Sequence, residues 1–462
     1  MRIGLLFSLL GCLLLCSCSK EKKLLKAEKN EHLSGGGATT YDTGPNAFTH
    51  PIEQLKGLDE LNFFVGNSFF NQNWVASPSS TTARDGLGPN FNKRSCSGCH
   101  FKDGRGQPPV FDGEPSKGII LRLSIPGSTE YGSNLPEPTY GHQLQDQAIP
   151  GMMHEGKISI TYEMIQGRYP DGTSYELQKP IYSVYDLKYG DMHTATQTSP
   201  RIANQIIGLG LLEAIEEHHI LENEDELDAN GDGISGKANW VWNLLEDEIQ
   251  LGRFGWKAGQ PNLLQQTAAA FIGDLGITNT LFTEQNCSES QKDCIEAHDS
   301  GSLEIEFDDL KKTADYCATT AVPVRRNYKD QEVLKGKEIF KNLGCNSCHI
   351  ETFTTGNHLI TALTNQVIFP YTDLLLHDMG EGLSDHRPEF LANGNEWRTP
   401  PLWGIGLFEI VNNHTNYIHD GRARNLEEAI LWHGGEAQKS KNEFKALTKD
   451  ERYQLIQFLK SL

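Results

Sequence analysis

The chain has 462 residues, enough for two or three domains with ordinary hydrophobic cores. With 37% hydrophobic and 9% aromatic residues, its composition is that of a soluble globular protein and not of a disordered or membrane-spanning one. A net charge of −20 argues against nucleic-acid binding through a basic face and gives a self-repelling surface that would attract basic partner proteins.

The chain opens on "MRIGLLFSLLGCLLLCSCSKEKK", in which Arg2 precedes an apolar run from Ile3 to Leu15. That run is too short to span a bilayer and reads as the core of an export signal. "LCSC", ending at Cys18, resembles a bacterial lipoprotein box, which predicts acylation of Cys18 after cleavage. Cys12 in "LLGC" would leave a shorter apolar core, and an ordinary cleaved signal with incidental cysteines is the plainer alternative. On this reading residues 1–18 are the signal, and the protein is an exported lipoprotein, facing the periplasm or anchored to the outer membrane. Residues 19–44, charged and then Gly-rich, read as a flexible tether.

"FVGNSFF" (Phe64 to Phe70) predicts an amphipathic helix whose glycine admits a close helical neighbour, and "RSCSGCH" follows it. "GIILRLSI", "KISITYEMI" and "SYELQKPIYSVYDL" alternate as short strands, the last two joined by a "YPDGTS" turn. "SPRIANQIIGLGLLEAIEEHH" predicts a long helix, capped by Ser199, opened by Pro200, with Ile202, Ile206, Leu209 and Leu212 on one face. "DANGDGISGKAN" places Asp228, Asn230, Asp232 and the Ile234 carbonyl as in the first half of an EF-hand calcium loop. Asn239 stands where that loop has its bidentate glutamate. "AVPVRRNY" reads as a linker between an N-terminal unit, 45–325, and a C-terminal unit, 326–462. The second unit begins with a helix, "KDQEVLKGKEIFKNLG", and reaches "CNSCH" at Cys345 to His349. It ends with "TKDERYQLIQFLKSL", whose Tyr453, Leu455, Ile456, Phe458, Leu459 and Leu462 have helical spacing.

Ten cysteines divide into three groups. Cys12, Cys16 and Cys18 belong to the leader; Cys96, Cys99, Cys345 and Cys348 form two C-x-x-C-H motifs; Cys287, Cys294 and Cys317 remain. Cys287 and Cys294 are close enough for a loop disulfide, which leaves Cys317 buried and unpaired unless it takes one of those partners. For the motifs, a four-cysteine zinc site leaves both histidines unexplained, a redox dithiol wants a βαβ context, and a structural disulfide has no need of the histidine. Two thiols on one helical turn can each bond a vinyl group of a haem, and the adjacent histidine, His100 or His349, then falls beneath the iron. The chain is therefore expected to hold two covalent c-type haems. A mainly α fold follows, of two cytochrome c-like domains, the first enlarged by loops and short strands.

"RSCSGCHFKDGRG", "GLGLLEAI", "DGISGKANWV", "LGRFGWKA", "EWRTPPLWGIGL" and "HDGRARNLEEAILWHGGEA" resemble the bacterial di-haem oxidoreductase family over roughly residues 50 to 462. That family, also called di-haem peroxidase or thiol oxidoreductase, is related to the di-haem cytochrome c peroxidases. The resemblance implies peroxide reduction at the N-terminal haem and electron relay through the C-terminal one. "NYIHDGRARNLEEAILWHGG" matches a peroxidase segment that ends in a methionine ligand, here His433, so the second iron would be bis-histidine; Met379 is the rival ligand. His419 is expected to hydrogen-bond near that haem. "HQLQDQAIPGMMHE" resembles, with a different spacing between the two residues, the peroxidase segment whose glutamine and glutamate line the open distal pocket, and the resemblance implies that Gln147 orients peroxide and Glu155 is the acid–base. His142, His154 and His193 are the residues that could close this haem instead. "RTPPL" matches a backbone segment that helps to bind calcium between the haems, through Thr399 and Pro401. Trp397, Trp403 and Trp432 lie near the second haem in sequence and could aid transfer. A small cytochrome or cupredoxin would be the electron donor. The other readings are a non-enzymatic electron-transfer cytochrome with both irons six-coordinate, and haem-mediated oxidation of a partner protein.

Overall fold

The computed structural model describes residues 24–81, 84–111, 114, 116–297 and 303–462. The leader and its three cysteines therefore lie outside the described residues. Among those described, no helix is long and apolar enough to cross a membrane.

Two crossed helix pairs organise the chain. Leu58–Asn71 packs on Phe307–Thr319, and Gln331–Asn342 packs on Lys449–Ser461. Each crossing is permitted by one glycine. A Cβ on Gly66 would lie 2.0 Å from the Lys312 carbonyl oxygen, and one on Gly336 would lie 2.0 Å from that of Gln454. The aromatic residue opposite each glycine, Tyr316 or Phe458, fills the rest of the contact. Four residues after each glycine comes Phe70 or Phe340, whose ring packs on its partner aromatic at 5.2 and 5.1 Å respectively. The last helix starts as its sequence implies: Thr448 and Glu451 form a reciprocal cap. Leu455, Phe458, Leu459 and Leu462 are buried on it, and Tyr453 is exposed.

The rest is less helical than expected. Helix accounts for about 29% and strand for 21%, the latter in many small sheets, so "mainly α" gives way to a mixed fold. The three anticipated strands form, as Ile119–Ser128 and the hairpin Lys157–Arg168 with Ser174–Tyr185. The long helix expected over 199–219 does not. Gln197–Ile202 is instead a strand paired antiparallel with Ile119–Ser124. Gly208 then adopts a left-handed φ of 70°, and helix resumes only over Leu209–Glu213 and Glu217–Leu221. The apolar spacing that suggested a helix served two structures in succession, because the edge of the Ile119 strand needed a partner.

Two expectations about connections are also corrected. The segment read as a flexible tether is fixed from Glu28 onward: Glu31 is buried between Arg325 (2.9 Å) and Lys337 (2.6 Å), and Thr39–Thr40 pair with Val322–Pro323. The same contacts make "AVPVRRNY" a buried strut and not a free linker. Cys287 and Cys294 form a disulfide, and Cys317 is buried and unpaired.

Candidate functional site

Each C-x-x-C-H motif is a tight 3-10 turn, Cys96–Gly98 or Cys345–Ser347, that ends on its histidine. The His100 amide donates to the Cys96 carbonyl (2.9 Å) and the His349 amide to that of Cys345 (3.0 Å). Phe70 stands 5.8 Å from the His100 ring and Phe340 stands 6.2 Å from that of His349, at interplanar angles of 50° and 54°. The helix pairs thus brace the two histidines in the same way.

Above each motif opens a cleft, one over His100 and one over His349. Cys96 and Cys99 line the first, Cys345 and Cys348 the second, so the cysteine pairs do not converge on one four-thiol zinc site. His100 Nδ1 lies 2.6 Å from the Asn204 carbonyl and His349 Nδ1 lies 2.9 Å from that of Tyr371. A carbonyl only accepts, so in both rings the proton sits on Nδ1, and Nε2 keeps the lone pair that could bind a metal. Burial pushes both imidazoles down to about 4, which keeps them in the neutral, ligating form. Paired thiols, a neutral imidazole and an enclosed space fit a covalent haem at each motif.

The second cleft contains a further histidine of the same design. His433 caps the C-terminus of the helix Leu426–Trp432, lines the cleft, and has Nδ1 2.7 Å from the Ala429 carbonyl. His349 and His433 both line this cleft. Met379, the rival ligand, lines the same cleft. His419 is also there, stacked on Trp397 at 3.7 Å with its Nε2 3.8 Å from Asp420. His377 completes the set but is bound on both nitrogens, to Glu436 (2.7 Å) and Asp373 (2.8 Å). In the first cleft the only histidine among the described lining residues is His100, and no methionine lines it.

The helix Leu263–Leu275 explains that difference. It begins with Asn262, whose side chain accepts from the Gln265 amide (2.8 Å), just as Asn425 accepts from Glu428 (2.9 Å). Counted from these caps, Leu263, Gln266, Thr267, Ala270 and Asp274 match Leu426, Ala429, Ile430, His433 and Ala437. All ten line their respective clefts. Six residues before each cap, Trp256 matches His419, again with both in cleft walls. Ala270 therefore holds the place that His433 occupies in the second cleft. An alanine there offers no ligand.

The residues expected to act on peroxide stand elsewhere. Gln147 lies on a short strand with its amide directed to the Asn92 carbonyl. Glu155 is buried, accepting from the Gln145 amide (2.6 Å) and Gln291 (2.5 Å), with its carboxyl pushed up to about 8 by burial. Neither lines the cleft over His100, and nor do His142, His154 or His193. His154 is paired with Asp186, and His193 turns its Nδ1 to the Ala195 amide. Of the three tryptophans, Trp397 lines the second cleft while Trp403 and Trp432 are core residues.

The Asp228 loop is exposed, and its oxygens bond its own backbone: Asp228 accepts from the Gly233 amide, Asn230 from Asp232 and Asp232 from Ile234. Asn239 is buried, donating to the carbonyls of Lys257 and Glu389. The Ile234 side of the loop reaches the second cleft. The Thr399 carbonyl already accepts from the Thr372 hydroxyl (2.6 Å) and the Arg398 guanidinium (3.2 Å). Pro401 lines the second cleft beside it.

Sequence reasoning did not single out Trp256, Arg398, Ala270 or Asp274. Trp256 and Arg398 line both clefts, and sit in the "LGRFGWKA" and "EWRTPPL" stretches already noted. Ala270 was discoverable only by laying "NLLQQTAAA" over "NLEEAILWH", which share the cap and the following leucine.

A family model described as "Di-haem oxidoreductase, putative peroxidase" matches residues 29–462. No curated protein and no solved structure matches the chain. With nearly its whole length covered, and with a cleft over each of its two C-x-x-C-H motifs, the chain belongs to the di-haem oxidoreductase family.

Proposed function

We propose that the protein reduces peroxide in the cleft over His100 and relays electrons to it through the cleft over His349, each cleft belonging to a cytochrome c-like half. The observation that carries this reading is the register that sets Ala270 against His433. His349 and His433 would hold one iron from both faces; His100 would hold the other from one face only. A haem with an open face supplies a metal centre at which a peroxide O–O bond can be cleaved.

The chain's own groups supply orientation and protons. Gln266 and Thr267 line the cleft beside Ala270 and would offer hydrogen bonds to a small oxygen ligand. Asp274 lies one turn further along the same wall. Burial raises its carboxyl above the ordinary range, while the Gln143 amide (2.8 Å) and the Arg122 charge pull it back. A carboxyl so placed can hold a proton and deliver it to the leaving oxygen. Each peroxide takes up two electrons and two protons and leaves as two waters. Trp256, in the wall of both clefts, gives the electrons an aromatic path between them. The electrons would come from a small donor protein such as a cytochrome or cupredoxin. The Cys287–Cys294 disulfide is in keeping with an exported protein.

Ala270→His tests the reading by adding the missing ligand. The variant is expected to keep two haems per chain, to show two low-spin irons by EPR, and to lose peroxide turnover. Undiminished turnover in a variant with both irons low-spin would place the reaction elsewhere. A wild-type protein already low-spin at both irons, with no turnover, would leave it an electron carrier.

A further inference from the structure

Arg398 is a charge without a counter-charge. Its side chain is 6% exposed, yet its guanidinium bonds only carbonyls: Nε to Gly255 (2.9 Å) and Nη1 to Thr399 (3.2 Å). Among the described residues no carboxylate lies within ion-pair distance of it. The nearest acidic influence is Asp373, whose two oxygens are taken by the Leu375 amide (3.0 Å) and His377 (2.8 Å). The contrast with neighbouring cations is direct. Arg201, Arg387 and Lys257 are as deeply buried, and each has Asp385 or Glu389 within 3.0 Å. A buried guanidinium left unpaired is costly, so a fold that retains one is arranged for an anion that the chain does not itself provide.

The position of Arg398 says which anion. It lines both clefts, and its backbone amide donates to the Trp256 carbonyl (2.9 Å), the other residue shared by the two walls. Arg105 repeats the pattern in one cleft only. It is 5% exposed, lines the cleft over His349, donates to the Ile418 carbonyl (2.8 Å), and has a buried Nε with no partner. The anions that would stand at such a wall are the carboxylates of the porphyrins. Each haem carries two, and neither is consumed by thioether attachment.

We propose that Arg398 is a carboxylate anchor shared by both haems, and that Arg105 is a second anchor serving the C-terminal haem alone. This rests on the di-haem assignment and adds to it a physical link between the two centres. One fixed positive charge, placed beside both groups, favours the reduced form of each and therefore sets both potentials at once. Arginine suits the task because its planar fork can meet two carboxylates from different sides, whereas lysine is a point charge.

The test is a redox titration of the holo-protein, with each haem followed by its own EPR and optical signal and haem content measured as pyridine haemochrome. Fewer than two haems per wild-type chain would remove the di-haem premise itself. Given two haems, Arg398→Gln is expected to lower both midpoint potentials, since loss of a cation favours the oxidised irons. Arg105→Gln is expected to lower only the C-terminal one. Arg398→Lys keeps the charge and should fall between wild type and Arg398→Gln. If Arg398→Gln does not load both haems, Arg398→Lys carries the test through resonance Raman spectra, where the carboxylate bending modes of both haems must shift. A response confined to one haem, or none, overturns the shared anchor.

Discussion

The two clefts are built on one plan and finished differently. In both, a glycine-permitted helix crossing sets a phenylalanine against the histidine of the C-x-x-C-H motif, and a helix begun by asparagine forms the facing wall. Over His349 that wall carries Ala429, Ile430 and His433, and Leu383, Leu402, Ile405 and Leu459 close the remainder. Over His100 it carries Gln266, Thr267, Ala270 and Asp274, with Arg122, Arg201, Gln260 and Glu389 nearby. Duplicating a haem site costs the chain little new structure, and the proposed division of labour would need only a few wall residues to change. On the proposed reading, an apolar wall with a second imidazole would keep an iron six-coordinate, which suits electron transfer. A polar wall with an alanine leaves room for a ligand and groups to handle its protons.

The strongest way to break the comparison is to remove the residue that makes the clefts unlike. His433→Ala is expected to abolish one low-spin EPR signal entirely and to let cyanide bind at both irons instead of one. If the low-spin signal persists, Met379 is the ligand in its place, and a Met379→Leu variant would then remove it. Next in size is Asp274→Asn, which leaves a hydrogen-bond acceptor for Gln143 but no ionisable proton. Peroxide turnover is expected to fall about 10²–10⁴-fold with the haem spectra unchanged, the range typical for losing a general acid–base. A spectrum altered along with the rate would instead give Asp274 a structural role.

Much of this plan was legible in the sequence. C-x-x-C-H fixes the haem side of each cleft because thioether attachment and proximal ligation demand those residues at that spacing. The glycines before Phe70 and Phe340 announced the helix crossings, and the "NYIHDGRARNLEEAILWHGG" segment pointed to His433, which lines the second cleft together with its rival Met379. What stayed hidden was long-range. The Phe307–Thr319 helix that closes the first crossing lies over 200 residues beyond its motif, so nothing local marks it as the counterpart of Lys449–Ser461. The 199–212 stripe misled because an apolar spacing compatible with a helix was claimed by a strand pairing that only the folded sheet makes visible. Gln147 and Glu155 were chosen by likeness to a segment of related enzymes, and a likeness without matching spacing does not determine which way a side chain faces.

The crossings themselves differ by one polar pair. Where Phe458 stands in the second half, the first has Tyr316, whose hydroxyl donates to Asp103 Oδ1 at 2.7 Å. Asp103 follows His100 by three residues, is 3% exposed, and burial pushes its carboxyl up to about 7 against that hydrogen bond. Its folded pKa thus exceeds the unfolded value near 4. Between those values the folded chain holds the extra proton, so stability is highest below about pH 4 on this account and declines as pH rises towards 7. The shift corresponds to about 4 kcal/mol at most. Asp103→Asn keeps an acceptor for Tyr316 and suits the left-handed φ of 60° at this position. Thermal unfolding of the variant should lose this part of the pH dependence between pH 4 and 7 and match or exceed wild type at pH 7. An unchanged slope would mean that Asp103 is ionised in the fold.

The smallest expected effect probes what the two halves share. Alanine at Gly66 or at Gly336 places a methyl 2.0 Å from a carbonyl oxygen and 2.7 Å from the Cβ of Tyr316 or Phe458, the same distances in both crossings. Neither helix can yield without moving the phenylalanine one turn on, and that ring packs against the histidine of its C-x-x-C-H motif. Each substitution is expected to destabilise the holo-protein by about 1–3 kcal/mol, the usual cost of overpacking, in denaturant titrations. If the halves are true repeats, the two costs should agree, and each variant should perturb the spectrum of its own haem and leave the other unchanged. A loss confined to Gly336→Ala would mean that the crossing before His100 is held by the strands and loops added around it. The enlarged first half would then owe its cleft to those additions more than to the helix pair.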